Sequence, residues 1–173
     1  MKIRLSLNGK TVQSDIDVRT SLADFVREKM NLTATHLACE HGICGACTVV
    51  INGAPARACL NLAASCDGQE VYTLEGLRND PVIQVLQKSF HENHGLQCGY
   101  CTPGMLVSAR DLILRGRART DQEIRCGLSG NLCRCTGYTS IVRSVRLAAE
   151  AWESAKRSSA AEPSSVELVT AGA

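Results

Sequence analysis

The sequence predicts an α+β chain with two unlike halves, and three observations carry that prediction. Up to about residue 76 apolar and polar residues alternate, whereas from about 77 apolar residues recur every three or four positions. The pairs Asn8-Gly9 and Asn52-Gly53 both fall in the first half, where each can close a two-residue hairpin. Each half also carries a spaced set of four cysteines: Cys39, Cys44, Cys47 and Cys59 in the first, Cys98, Cys101, Cys133 and Cys135 in the second.

In chain order, residues 2–7 and 11–18 read as strands joined at Asn8-Gly9. Ser21 is placed to cap a helix over 22–30, whose face is Leu22, Phe25, Val26 and Met30. The run CEHGICGAC follows, then a strand TVVI at 48–51, the turn at 52–53, PARACL leading to Cys59, and a last strand EVYTL at 70–74. A hairpin, a helix, a cysteine loop and further strands match the β-grasp layout of plant-type ferredoxins.

Asp80-Pro81 opens a helix with Val82, Val85, Leu86 and Phe90, ending near His94-Gly95. Thr102-Pro103 supplies a cap and a first-turn proline for the next helix. Thr120 and Glu123 form a capping box for a short third helix. A fourth covers 139–156, with Ile141, Val145, Leu147 or Ala148, and Trp152 as its stripe. The predicted divisions are therefore 1–76, a ferredoxin-like domain; 77–156, a four-helix domain; and 157–173, a Ser/Ala-rich tail that is disordered or ordered by a partner.

The C-x4-C-x2-C…C spacing of the first set is the plant-type pattern for a 2Fe-2S cluster. Gly42 and Gly45 free the backbone to turn four side chains inward while N–H groups point at sulfur. The second set pairs Cys98-x2-Cys101 with Cys133-x-Cys135, and Cys98 and Cys101 lie just before a helix whose N-terminal dipole favours negative charge. Zinc is the competing occupant, but its ribbons usually pair two Cys-x2-Cys knuckles, which neither set reproduces. Arg134 either offsets cluster charge or is a solvated surface residue, and His41 either tunes the first cluster or is a solvated loop residue. Cys66 and Cys126 read as small buried hydrophobes rather than ligands.

A net charge of +2 without a basic, aromatic-laced stripe argues against nucleic acid as a partner. No apolar run approaches the roughly 20 residues of a membrane-spanning helix. The opening MKIRLSLNG lacks the apolar centre of a secretory signal, so ten cysteines are expected to serve metal or redox chemistry in the cytoplasm. Aromatics are only 3% of the residues, which suggests that metal ligation and burial against partner subunits add to stability.

Taken together, CEHGICGAC, QCGYCTPGM and GNLCRCTGY make the chain resemble, over residues 1–155, the small iron–sulfur subunit of the molybdenum hydroxylases. That family includes xanthine dehydrogenase, aldehyde oxidoreductase and carbon monoxide dehydrogenase. The resemblance implies two 2Fe-2S clusters, one on each cysteine set. It also implies a large partner holding molybdenum in molybdopterin cytosine dinucleotide, and a medium partner holding FAD. The expected assembly is a heterotrimer or a dimer of heterotrimers. Electrons would run from molybdenum to the helical-half cluster, then to the ferredoxin-like cluster, then to FAD or another acceptor. By the same resemblance Gln97 contacts the pterin and Cys135 lies near it; no residue of this chain is expected to be catalytic. The rival readings are a free-standing ferredoxin, for which the near-neutral charge lacks an acidic docking face, and a structural zinc module.

Overall fold

The computed structural model describes residues 1–160; the predicted tail beyond that point lies outside the described residues. Strands β1 (Lys2–Leu7) and β2 (Lys10–Asp15) pair antiparallel with Leu7 opposite Lys10. Asn8 and Gly9 have φ of +52° and +77°, the left-handed pair of a type I′ turn. β2 ends at Asp15, short of the expected residue 18, because Asp17 bends the chain: its carboxylate accepts from the Arg19 N–H and its carbonyl from the Thr20 N–H.

Ser21 caps as expected, its hydroxyl accepting from the Asp24 N–H at 3.0 Å. The helix departs from expectation beyond its first turn. α1 (Leu22–Asp24) is α-helical, but Phe25–Lys29 widens into a π turn, with the Met30 N–H reaching the Phe25 carbonyl at 3.1 Å. Leu22, Ala23, Phe25 and Val26 are all buried there.

β3 (Thr48–Ile51), β4 (Ala54–Arg57) and β5 (Glu70–Tyr72) complete a five-stranded mixed sheet in the order β2-β1-β5-β3-β4. β5 lies parallel to β1, and every other neighbour is antiparallel. β5 stops at Tyr72 rather than Leu74 because the Asn8 side chain takes the Thr73 N–H, and Leu74 begins a 3-10 turn. One core gathers Ile3, Leu5, Leu7, Val49 and Val71 around Phe25 and Val26. Val50, the next residue along β3, points the other way and joins the helical core.

The helices are α2 (Pro81–Glu92), α3 (Thr102–Leu114), α4 (Asp121–Gly127) and α5 (Thr139–Ala160). The Thr120–Glu123 capping box forms as expected. Thr102 is not a cap: Cys101 already has helical φ and ψ and takes that position, leaving the Thr102 hydroxyl buried without a hydrogen-bond partner. On α5 the buried stripe is Ile141, Val145 and Ala148; Leu147 and Trp152 are half-buried.

Asp80 does two jobs at the start of α2. Its Oδ1 accepts from the Val82 and Ile83 N–H groups at 2.9 and 3.1 Å, while Oδ2 receives two bonds from the Arg110 guanidinium at 2.8 and 2.6 Å. Asp80→Ala removes the cap and strands a partly buried guanidinium, so thermal unfolding should show a loss of about 1–3 kcal/mol. Asp80→Asn keeps the cap oxygen and should recover part of it.

Candidate metal centres

The first four cysteines enter from two pieces of backbone. Cys39 and Cys44 sit in the loop before β3, Cys47 just ahead of it, and Cys59 in the 3-10 turn after β4. Glu40, Gly42 and Gly45 all have positive φ, so the loop curls back on itself repeatedly. That curl aims backbone donors at sulfur: the Cys44 N–H donates to Cys39 Sγ at 3.3 Å, and the Cys59 N–H to Cys47 Sγ at 3.5 Å. Hydrogen bonds from the Cys44 and His41 backbone, then from the Cys44 thiol, hold the Cys39 thiol down at about 6. Burial first, and the Cys47 thiol second, push Cys59 up to about 11.

The second four converge from two loops. Cys98 and Cys101 bracket the turn into α3, and Cys133 and Cys135 lie between α4 and α5. Cys135 Sγ is 3.4 Å from Cys98 Sγ. Cys101 meets Cys133, and burial followed by that thiol pushes Cys101 up to about 12. For Cys133, burial acts upward, but the Thr136 hydroxyl, backbone donors and Cys101 outweigh it and the thiol lies below its ordinary value. The Tyr138 hydroxyl accepts from the Cys133 N–H at 2.9 Å and so pins the loop.

Within each predicted set the thiols meet as two pairs: Cys39 with Cys44 and Cys47 with Cys59, then Cys98 with Cys135 and Cys101 with Cys133. All ten cysteines are free thiols. Among the described residues no three His, Cys, Asp or Glu side chains are grouped as a single-ion site. Two thiol pairs with inward N–H donors suit a two-iron core, which takes two thiolates on each iron.

The leftover positions divide. Cys66 is buried as expected, with its thiol raised by burial. Cys126 is exposed, contrary to expectation, because it lies on the outer side of the short α4, where only Ile124 is buried. His41 and Arg134 are exposed loop residues. Gln97 is exposed beside Cys98, and the neighbouring Leu96, Tyr100 and Cys135 are exposed too.

Sequence reading missed the residues that join the two sites. The Leu132 N–H donates to the Cys44 carbonyl at 2.8 Å. The Arg57 guanidinium bonds the Thr48 hydroxyl at 2.6 Å and the Gly130 carbonyl at 2.7 Å. His36 stacks on Tyr100 with ring centroids 4.6 Å apart, and the Tyr100 hydroxyl donates to the Leu37 carbonyl. Only the position of Asn131 and Leu132 inside GNLCRC hinted at such a role.

Residues 11–89 match the family model described as a 2Fe-2S iron-sulfur cluster binding domain, and 73–146 match the [2Fe-2S] binding domain. Caffeine dehydrogenase subunit gamma from Pseudomonas sp. (strain CBB1) is 47% identical, over 89% of this chain and 94% of that one. The nicotine 6-hydroxylase small subunit from Paenarthrobacter nicotinovorans is 46% identical, over 84% and 87%. The structure of quinoline 2-oxidoreductase from Pseudomonas putida 86 superposes with a TM-score of 0.83 at 44% identity, covering 89% of this chain and 96% of the matched one. The chain belongs to the small iron–sulfur subunits of the molybdenum hydroxylases. As a subunit of this oxidoreductase family it is a 2Fe-2S protein with an electron-transfer role. No helix among the described residues is long and apolar enough to cross a membrane.

Proposed function

We propose that this subunit relays electrons from the molybdopterin centre of a large partner to FAD on a medium partner, or to another acceptor, in a cytoplasmic heterotrimer or dimer of heterotrimers. Cys98, Cys101, Cys133 and Cys135 hold the entry cluster on the helical unit, residues 77–156, and Cys39, Cys44, Cys47 and Cys59 hold the exit cluster on the sheet unit, residues 1–76. A 2Fe-2S centre bound at each quartet accepts and releases one electron at a time. The observation that carries the reading is the 2.8 Å bond from the Leu132 N–H to the Cys44 carbonyl, which joins the loop of Cys133 directly to that of Cys44.

The chain's own residues supply the rest. Backbone N–H groups donate to the sulfurs of Cys39, Cys47 and Cys98, and such donors favour the more negative, reduced state of a cluster held there. The exposed Cys98–Cys135 pair, with Gln97 beside it, offers the entry face to the pterin. Ile43, Leu60 and Leu62 are exposed around the first quartet, an apolar rim suited to burial against the flavin-bearing partner. Caffeine, nicotine and quinoline, in the names of three relatives, are all N-heterocycles, which favours that class of substrate for the large partner.

Two substitutions test the reading at opposite ends. Gln97→Ala should leave both clusters assembled and substrate preference unchanged, while an unpaired pterin group costs about 1–3 kcal/mol. Cofactor content should fall, or reduction of the entry cluster should slow; wild-type cofactor content and turnover would make Gln97 a mere loop residue. Cys66→Ser and Cys126→Ser should retain all the iron and sulfide of the wild type, and a cluster lost in either would break the ligand assignment.

A further inference from the structure

We propose that Asn131 is a positioning residue that sets the spacing between the two thiol quartets, and with it the rate of electron transfer from one to the other. The inference rests on the ligand assignment above. Asn131 is 2% exposed and lies between the quartets, two positions before Cys133 in sequence. Each polar atom of its amide is engaged by a different part of the fold. Oδ1 accepts from the Ser108 hydroxyl of α3 at 2.8 Å, and Nδ2 donates to the Gly45 carbonyl at 3.0 Å and the Thr48 hydroxyl at 3.4 Å.

Gly45 stands between Cys44 and Cys47, so this amide grips the first cysteine loop at its centre. A Cβ on Gly45 would lie 2.4 Å from the Gly130 carbonyl oxygen and 2.7 Å from Asn131 Nδ2, at a φ of +73°. The two loops can approach this closely only because that side chain is missing. Arg57 braces the same junction through Thr48 and Gly130, and the Leu132 bond to the Cys44 carbonyl closes it. A buried polar cluster with every member satisfied holds one geometry rather than several.

The amide direction is forced. Rotated by half a turn, Oδ1 would face the Gly45 carbonyl and the Thr48 hydroxyl oxygen already committed to that carbonyl at 2.6 Å. Aspartate has the same shape but no donor, so Asn131→Asp sets oxygen against oxygen at the junction. The transfer itself moves one electron from the helical-half cluster to the sheet-half cluster. No bond forms or breaks and no proton moves at Asn131, and the reductant is the substrate oxidised by the large partner.

The test uses the purified complex carrying Asn131→Asp or Ser108→Ala, the latter deleting only the hydroxyl that orients the amide. Iron and labile sulfide report whether both clusters are held. Electron paramagnetic resonance of the reduced complex reports the coupling between the two unpaired spins, which falls with the cube of their separation. Rapid mixing with substrate reports the lag between reduction of the two clusters. Asn131→Asp is expected to keep both clusters, weaken the spin coupling and lengthen the lag about tenfold, with Ser108→Ala shifting both readings the same way by less. Unchanged coupling and lag in Asn131→Asp would overturn the proposal, as would a cluster lost in Ser108→Ala, since the junction would then serve assembly. If Asn131→Asp loses a cluster, the coupling and lag of Ser108→Ala decide, and wild-type values overturn it. Failure of the ligand assignment looks different: Cys47→Ser would keep its full iron.

Discussion

In the assembled complex, Cys47→Ser is expected to abolish the spectroscopic signal of the sheet-half cluster while leaving the helical-half signal intact. Cys47 is 2% exposed, receives the Cys59 N–H and touches the Cys59 thiol, so its loss leaves one pair broken inside a closed loop. Serine is a harder, less acidic donor that replaces a thiolate on iron poorly. No residue of the second quartet depends on Cys47, and its four thiols should still assemble. Rapid mixing with substrate should then show normal reduction of the helical-half cluster, with onward flavin reduction blocked. Flavin reduced at the wild-type rate would refute the proposed order of the two centres.

Gly104→Ala should destabilise the complex even though alanine is the better helix former by about 1 kcal/mol. Gly104 is buried in the first turn of α3, and a Cβ there would sit 2.2 Å from the Gly45 carbonyl oxygen and 3.0 Å from that of Ala46. Both are backbone atoms of the first cysteine loop, so no flexible side chain can yield. Either α3 shifts away from the loop, or the Gly45 carbonyl swings off Thr48 and Asn131. Overpacking of this kind costs about 1–3 kcal/mol, or about 2–4 °C in thermal midpoint for each kcal/mol. The loop that gives way carries Cys44 and Cys47, so iron should be lost from the first site sooner than from the second. A raised midpoint with unchanged iron retention would mean that helix propensity outweighs the clash.

Much of this was legible because the signals are local. Two Asn-Gly pairs adopt the paired positive φ of type I′ turns, and Asp80 and Thr120 start helices, through atoms only two or three residues away. The cysteine spacings were legible for the same reason, since a loop of fixed length brings its own thiols together. The misses came where distant residues compete for a local group. Asn8 takes the Thr73 N–H and ends β5 early, Asp17 bends the chain where β2 was expected to continue, and Cys126 faces solvent because α4 buries one residue only.

Residue types and spacings by themselves determined that two four-thiol sets exist, that one lies among strands and the other among helices, and which family the motifs resemble. Only the tertiary structure decided which thiols of the second set touch, Cys98 with Cys135 and Cys101 with Cys133, and that Leu132 meets Cys44. Those contacts join residues far apart in the chain, across a junction where Gly45, Gly104 and Asn131 must pack at once. No spacing rule reaches that far, because the contact forms only after the sheet and α3 have each presented a face.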